Sequence, residues 1–88
     1  MTWQIEFTAR ARKDFRKLDH HVQKRIRRFL EERLTSIDNP RSQGRALTGK
    51  WSGFWRYRVG DFRLICEIKD NALTIVLVKL AHRKDSYE

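Results

Sequence analysis

Eighty-eight residues make one small domain, a single unit over residues 1–88 with no room for a second core. Twenty Lys and Arg against eleven Asp and Glu leave a formal charge of +9, which favours polyanionic partners such as nucleic acid, an anionic membrane or an acidic protein. A lone cysteine excludes a disulfide framework, and with no signal peptide and no apolar run of spanning length the expected compartment is the reducing cytoplasm.

Thr2 to Phe7 alternates Trp3, Ile5 and Phe7 with Gln4 and Glu6, which predicts a half-buried first strand. Thr8 then has the character of a helix N-cap, and Ala11, Phe15 and Leu18 mark a short apolar stripe behind it. Asp19 is placed to cap a second helix. Val22, Ile26, Phe29, Leu30, Leu34 and Ile37 step through about four amphipathic turns, until Asp38-Asn39-Pro40 forces the chain out of helical geometry. The basic residues on both helices read as solvated faces. Residues 41–53 form a polar connection in which Leu47 and Trp51 are expected to anchor onto the core.

Gly60-Asp61 sits between two runs of strand formers, the signature of a two-residue hairpin with glycine at the first turn position. Pairing outward sets Val59 opposite Phe62, Arg58 opposite Arg63, Tyr57 opposite Leu64, Arg56 opposite Ile65 and Trp55 opposite Cys66. Alternation then gathers Trp55, Tyr57, Val59, Phe62, Leu64 and Cys66 on a core face. Arg56, Arg58 and Arg63 share the other. Like charges set directly opposite destabilise a sheet, so this face is expected to meet an anion. The hairpin runs to about Lys69, Asp70-Asn71 makes another tight turn, and Ala72 to Ala81 is a third strand, apolar on both faces as a central strand should be. Continuing the register sets Val78 beside Arg63, with Leu80 and His82 further along the cationic face. The expected fold class is α+β: strand, two helices, three strands, with the helices packed on one face of a small antiparallel sheet.

The tail brings His82, Arg83 and Tyr87 towards Arg63. This set has cations, one imidazole and one aromatic, but no carboxylate and no second thiol, so it composes neither a metal site nor a nucleophilic triad. Glu67 lies roughly 13 Å from Arg63 along the strand, a poor candidate for a base. Guanidinium forks match phosphate oxygens and stabilise charge developing on a pentacoordinate phosphorus. An edge aromatic stacks on unpaired bases, and imidazole is the side-chain group able to give or take a proton without special tuning, which makes His82 the candidate for proton transfer. Together these suggest RNA cleavage through the 2′-hydroxyl without metal or cofactor.

The element order, Asn39-Pro40, Leu47-Thr48-Gly49, the run Trp55-Arg56-Tyr57-Arg58-Val59-Gly60-Asp61-Phe62-Arg63 and the terminal His82-Arg83…Tyr87 resemble the RelE/ParE toxin superfamily, the RelE branch more closely. The resemblance spans essentially the whole chain. It implies a toxin of a type II toxin–antitoxin pair that enters the ribosomal A site and cuts mRNA, leaving a 2′,3′-cyclic phosphate and a 5′-hydroxyl. It assigns RNA and phosphate binding to Arg56, Arg58, Arg63 and Arg83, and a catalytic set of Arg63, His82, Arg83 and Tyr87. Both strand cations are arginine where relatives carry lysine, so neither serves readily as a base. The implied partners are an acidic antitoxin, the ribosome and mRNA, with no membrane. Two other readings stand beside this one: a ParE-like toxin that inhibits DNA gyrase without cutting RNA, and a non-catalytic nucleic-acid-binding module.

Overall fold

The structure is a computed structural model and describes residues 2–85. Strand β1 (Gln4–Phe7) leads through Thr8 into helix α1 (Ala9–Arg16). The Thr8 hydroxyl accepts the Ala11 amide at 3.1 Å, the predicted cap, and itself donates to the Val78 carbonyl at 3.1 Å. One side chain thus satisfies a free N–H of the first turn and pins the helix to the sheet. Helix α2 (His20–Arg28) starts after Asp19, which receives the Val22 and Gln23 amides on its backbone carbonyl and makes no side-chain cap bond. The Gln23 side-chain amide donates to the carbonyls of Phe15 and Leu18, closing the end of α1.

The long amphipathic helix expected to follow continues, but over Phe29–Leu34 it widens to π-helical bonding. Leu30 and Leu34 stay buried through the widened turn. Thr35 and Ser36 then donate back to the carbonyls of Glu31 and Glu32, so helical structure ends ahead of Asp38-Asn39-Pro40. Among the described residues no helix is long and apolar enough to cross a membrane.

Five strands form one sheet in the order β1-β5-β4-β3-β2, with β2 at Arg45–Ala46, β3 at Trp55–Val59, β4 at Phe62–Lys69 and β5 at Thr74–His82. All neighbours are antiparallel except β1, which pairs parallel to β5, so the sheet is mixed. Strand β2, inside the supposed connection, was not foreseen. The hairpin register is as predicted at all of its pairs, from Val59 opposite Phe62 to Trp55 opposite Cys66. Gly60 takes φ 58°, the left-handed value that the first position of such a turn requires.

The β4–β5 register departs from expectation. The connection is not a two-residue turn: Asp70–Ala72 makes a 3-10 turn and Leu73 follows at φ 47°, so the ladder starts with Lys69 opposite Thr74. An irregularity between Ile65 and Cys66 then slips the register once more, at Val78. Arg63 therefore faces Ala81 rather than Val78, and His82 faces Phe62.

Both helices cover one face of the sheet. Trp3, Ala11, Phe15, Ile26, Leu30, Leu34, Tyr57, Val59, Leu64, Cys66, Ile75, Leu77 and Leu80 form the core between them. Trp51, expected to anchor on this core, is only half-buried and packs edge-on against Phe54 at 5.3 Å; Leu47, also half-buried, donates its amide to the Phe54 carbonyl.

Candidate nucleic-acid interface

The sheet face turned away from the helices carries Arg56, Arg58 and Arg63, with Arg58 and Arg63 direct cross-strand partners as expected. Strand β2 adds a second like-charge pair on the same face, Arg45 opposite Arg56. Lys79 joins through the slipped register, opposite Ile65. Arg45, Arg56, Ile65 and Lys79 thus form one row across four strands, about 14 Å wide at ordinary strand spacing. Arg58, Arg63 and Ala81 form the next. Ile65 is fully buried although it lies on this face, as it must be if the aliphatic stems of its long neighbours cover it. Among the described residues no carboxylate pairs with Arg45, Arg58 or Arg63.

The tail meets this face at the hairpin tip. The Arg83 amide donates to the Asp61 carbonyl at 2.7 Å, one ladder step beyond the strand, and its guanidinium lies 3.7 Å from the Asp61 carboxylate. A carboxylate therefore does border the set, brought by the turn. Both side chains are more than half exposed, so the pair positions Arg83 more than it stabilises the fold. Arg25 of α2 reaches the same tip, where a Cβ on Gly60 would stand 2.9 Å from its guanidinium.

His82 falls elsewhere. Facing Phe62, it lies on the helix side of the sheet and not on the cationic face; its ring meets Phe62 edge-on at 5.2 Å. Its Nδ1 accepts the Lys84 amide at 3.1 Å, while its own amide donates to Asp85. The neutral ring in this arrangement carries its proton on Nε2. Tyr87 lies outside the described residues.

The wall beside Arg45 is held from below. The Tyr57 hydroxyl, buried, donates to the Pro40 carbonyl at 2.8 Å. Arg41 forks onto both oxygens of Asp70, at 3.0 and 2.6 Å, and lies over the Trp55 ring. That hydrogen bond raises the Arg41 pKa and holds the Asp70 carboxyl below the usual range. Burial pushes the Tyr57 phenol and the Cys66 thiol up, which leaves both neutral and structural.

Of the residues singled out in the sequence, Arg56, Arg58, Arg63 and Arg83 are brought together at one end of one face, and His82 is turned from it. Arg45, Lys79 and Asp61 were missed. A two-residue strand shows no alternation to read, the place of Lys79 depends on an irregularity invisible in composition, and Asp61 read only as a turn residue.

Comparison with known proteins adds to this geometry. The family model described as "ParE toxin of type II toxin-antitoxin system, parDE" matches residues 5–87. The chain is 30% identical over 87 residues to Toxin RelG of Mycobacterium tuberculosis, covering 99% of this chain and 98% of that one. It is also 30% identical over 87 residues to Toxin RelE3 of Methanocaldococcus jannaschii, covering 97% and 96%. Its fold matches the toxin–antitoxin complex RelBE2 of Mycobacterium tuberculosis with a TM-score of 0.85 at 28% identity, over 97% of this chain and 95% of that chain.

Proposed function

This chain belongs to the RelE/ParE superfamily of type II toxin–antitoxin toxins, and on that premise we propose that it is a ribosome-dependent endoribonuclease that cuts mRNA in the A site. The observation that carries the proposal is the doubled like-charge pairing, Arg45 with Arg56 and Arg58 with Arg63, on one sheet face with Arg83 tethered at its end. Such a face is costly unless a polyanion sits on it.

In this mechanism Arg56, Arg58, Arg63 and Arg83 hold the scissile and flanking phosphates, and Tyr87 stacks on a nucleotide. The 2′-oxygen attacks the adjacent phosphorus and gives up its proton, the bond to the 5′-oxygen breaks, and that oxygen takes a proton. The products are a 2′,3′-cyclic phosphate and a 5′-hydroxyl. Rigidly placed guanidinium groups stabilise the dianionic pentacoordinate state, so positioning and electrostatics carry more of the rate than proton transfer. His82, turned to the helix side, acts through the turn it builds, which presents Arg83. Asp61 holds Arg83 until phosphate replaces it. Neutralisation in the cytoplasm would fall to an acidic antitoxin, whose charge complements the formal +9 of the toxin; the complex RelBE2 is a precedent among similar folds.

Primer extension on a defined mRNA in a reconstituted translation mix tests this, with and without ribosomes, for wild type and Arg83→Ala. Cuts at A-site codons that need both ribosomes and Arg83 are expected. Because the matching family model is that of ParE, a second reading is gyrase inhibition by protein contact. Intact mRNA with normal translation, together with lost supercoiling activity of gyrase, would replace the first reading with this one.

A further inference from the structure

Beside the central arginines, at the β2 edge, lies a cavity of about 410 Å³ lined by Ser42, Gln43, Gly44, Arg45, Arg56 and Arg58. Its chemistry is polar and cationic, with one carboxamide and one hydroxyl among the guanidinium groups. We propose that this cavity is a second nucleotide subsite, taking the RNA nucleotide next to the scissile one, with Arg45 on its phosphate and Gln43 reading its base. The inference rests on the RNA-cutting reading for the identity of the ligand, and adds to it a residue that sets sequence preference.

Three features support it. Arg45 and Arg56 are direct cross-strand partners, so the like-charge repulsion that marks the central face recurs at the mouth of this cavity. The wall is preorganised, which recognition requires. Tyr57 holds the Pro40 carbonyl, Asn39 Oδ1 accepts the Arg41 amide, and Gly44 lies so close to the Tyr57 ring that a Cβ there would stand 2.8 Å from Cε1. Meanwhile the side chains of Ser42, Gln43 and Arg45 are exposed. Finally, Gln43 offers both a donor and an acceptor, the pair that matches the edge of an unpaired base.

The test is equilibrium binding of short single-stranded RNAs, permuted at each position, measured by fluorescence anisotropy across a salt series. The proteins are wild type, Arg45→Ala, Gln43→Ala, and Lys13→Ala on the far helix as control. Losing one phosphate contact should weaken binding by about tenfold and lower the slope of log K against log salt by about 0.7 for Arg45→Ala. Gln43→Ala should keep the wild-type slope but lose the discrimination, about tenfold, at a single nucleotide position. Thermal midpoints verify folding, and a variant that melts early is replaced by Arg45→Gln or Gln43→Ser. A wild-type slope in the Arg45 variant, unchanged base preferences in the Gln43 variant, or no RNA binding by the wild type each overturns the subsite. Cleavage is read separately: Arg45-dependent binding without cutting refutes the enzyme and leaves the subsite, whereas cutting with an indifferent Arg45 and Gln43 does the reverse.

Discussion

If Arg58 and Arg63 oppose each other for the sake of a ligand, removing one charge should make the free protein more stable and less active. Arg58 is exposed and directly opposite Arg63, so Arg58→Gln removes charge while burying no new group. Taking the two charges as about 6 Å apart, a little beyond the usual cross-strand Cβ spacing of about 5 Å, the repulsion is about 0.7 kcal/mol at the dielectric constant of water, within the range of about 0.2–1 kcal/mol found for cross-strand pairs. A gain of about 0.5 kcal/mol in a domain of this size raises the thermal midpoint by roughly 2–4 °C. Screening gives the decisive control. The Debye length is about 10 Å at 0.1 M salt and about 3 Å at 1 M, so the gain should shrink towards zero at high salt. Calorimetry or urea unfolding of wild type, Arg58→Gln, Arg63→Gln and the double variant at both salts measures it, and the double variant should gain less than the sum of the single ones. RNA cutting by the same single variants should fall by about tenfold or more. A midpoint that drops at both salts, or a gain that ignores salt, would show that these cations do not repel and would remove the reason for inferring an anionic ligand.

Other outcomes follow from the packing. Tyr57→Phe leaves the Pro40 carbonyl without its buried donor and should cost about 1–3 kcal/mol in urea unfolding; Gly44→Ala drives a Cβ against the same ring and should cost about 1–3 kcal/mol, with the Ser42–Arg45 wall displaced in amide spectra. Thr8→Ala removes both the α1 cap and the tie to Val78, and should lower stability by about 1–2 kcal/mol. Burial raises the folded-state pKa of Cys66 above its unfolded value, so its contribution is complete below the unfolded pKa of about 8.5 and is lost as pH rises beyond it, by up to about 1.4 kcal/mol per pH unit. Cys66→Ala should flatten unfolding free energy between about pH 8.5 and 9.5, below the ordinary tyrosine pKa of about 10 at which the unfolded Tyr57 begins to contribute a slope of the same sign; an unchanged slope would refute the assignment. Asp70 has the opposite sign. Its depressed pKa stabilises above the ordinary aspartate range and the benefit is lost in acid, so Asp70→Asn should soften the acid limb of the stability curve.

Local physics determined much of this protein from the sequence alone. The hairpin register, and with it the opposition of Arg58 and Arg63, follows from a two-residue turn whose geometry leaves one pairing. Thr8 as a cap and the stripe from Val22 to Leu34 follow from hydrogen-bond and burial demands within a few residues of chain. What lay beyond that reach was decided by tertiary structure. The β4–β5 connection closes with Leu73 in a left-handed conformation and the ladder slips near Ile65; each displaces the register, and a slip of one residue exchanges the faces of a strand. That is why His82 went to the helix side while Lys79 arrived among the arginines. Strand β2 is too short to announce itself by alternation and forms because Gly44 lets the chain lie against Tyr57, whose hydroxyl holds the preceding turn. The cationic cavity at its edge exists only once those distant segments have met.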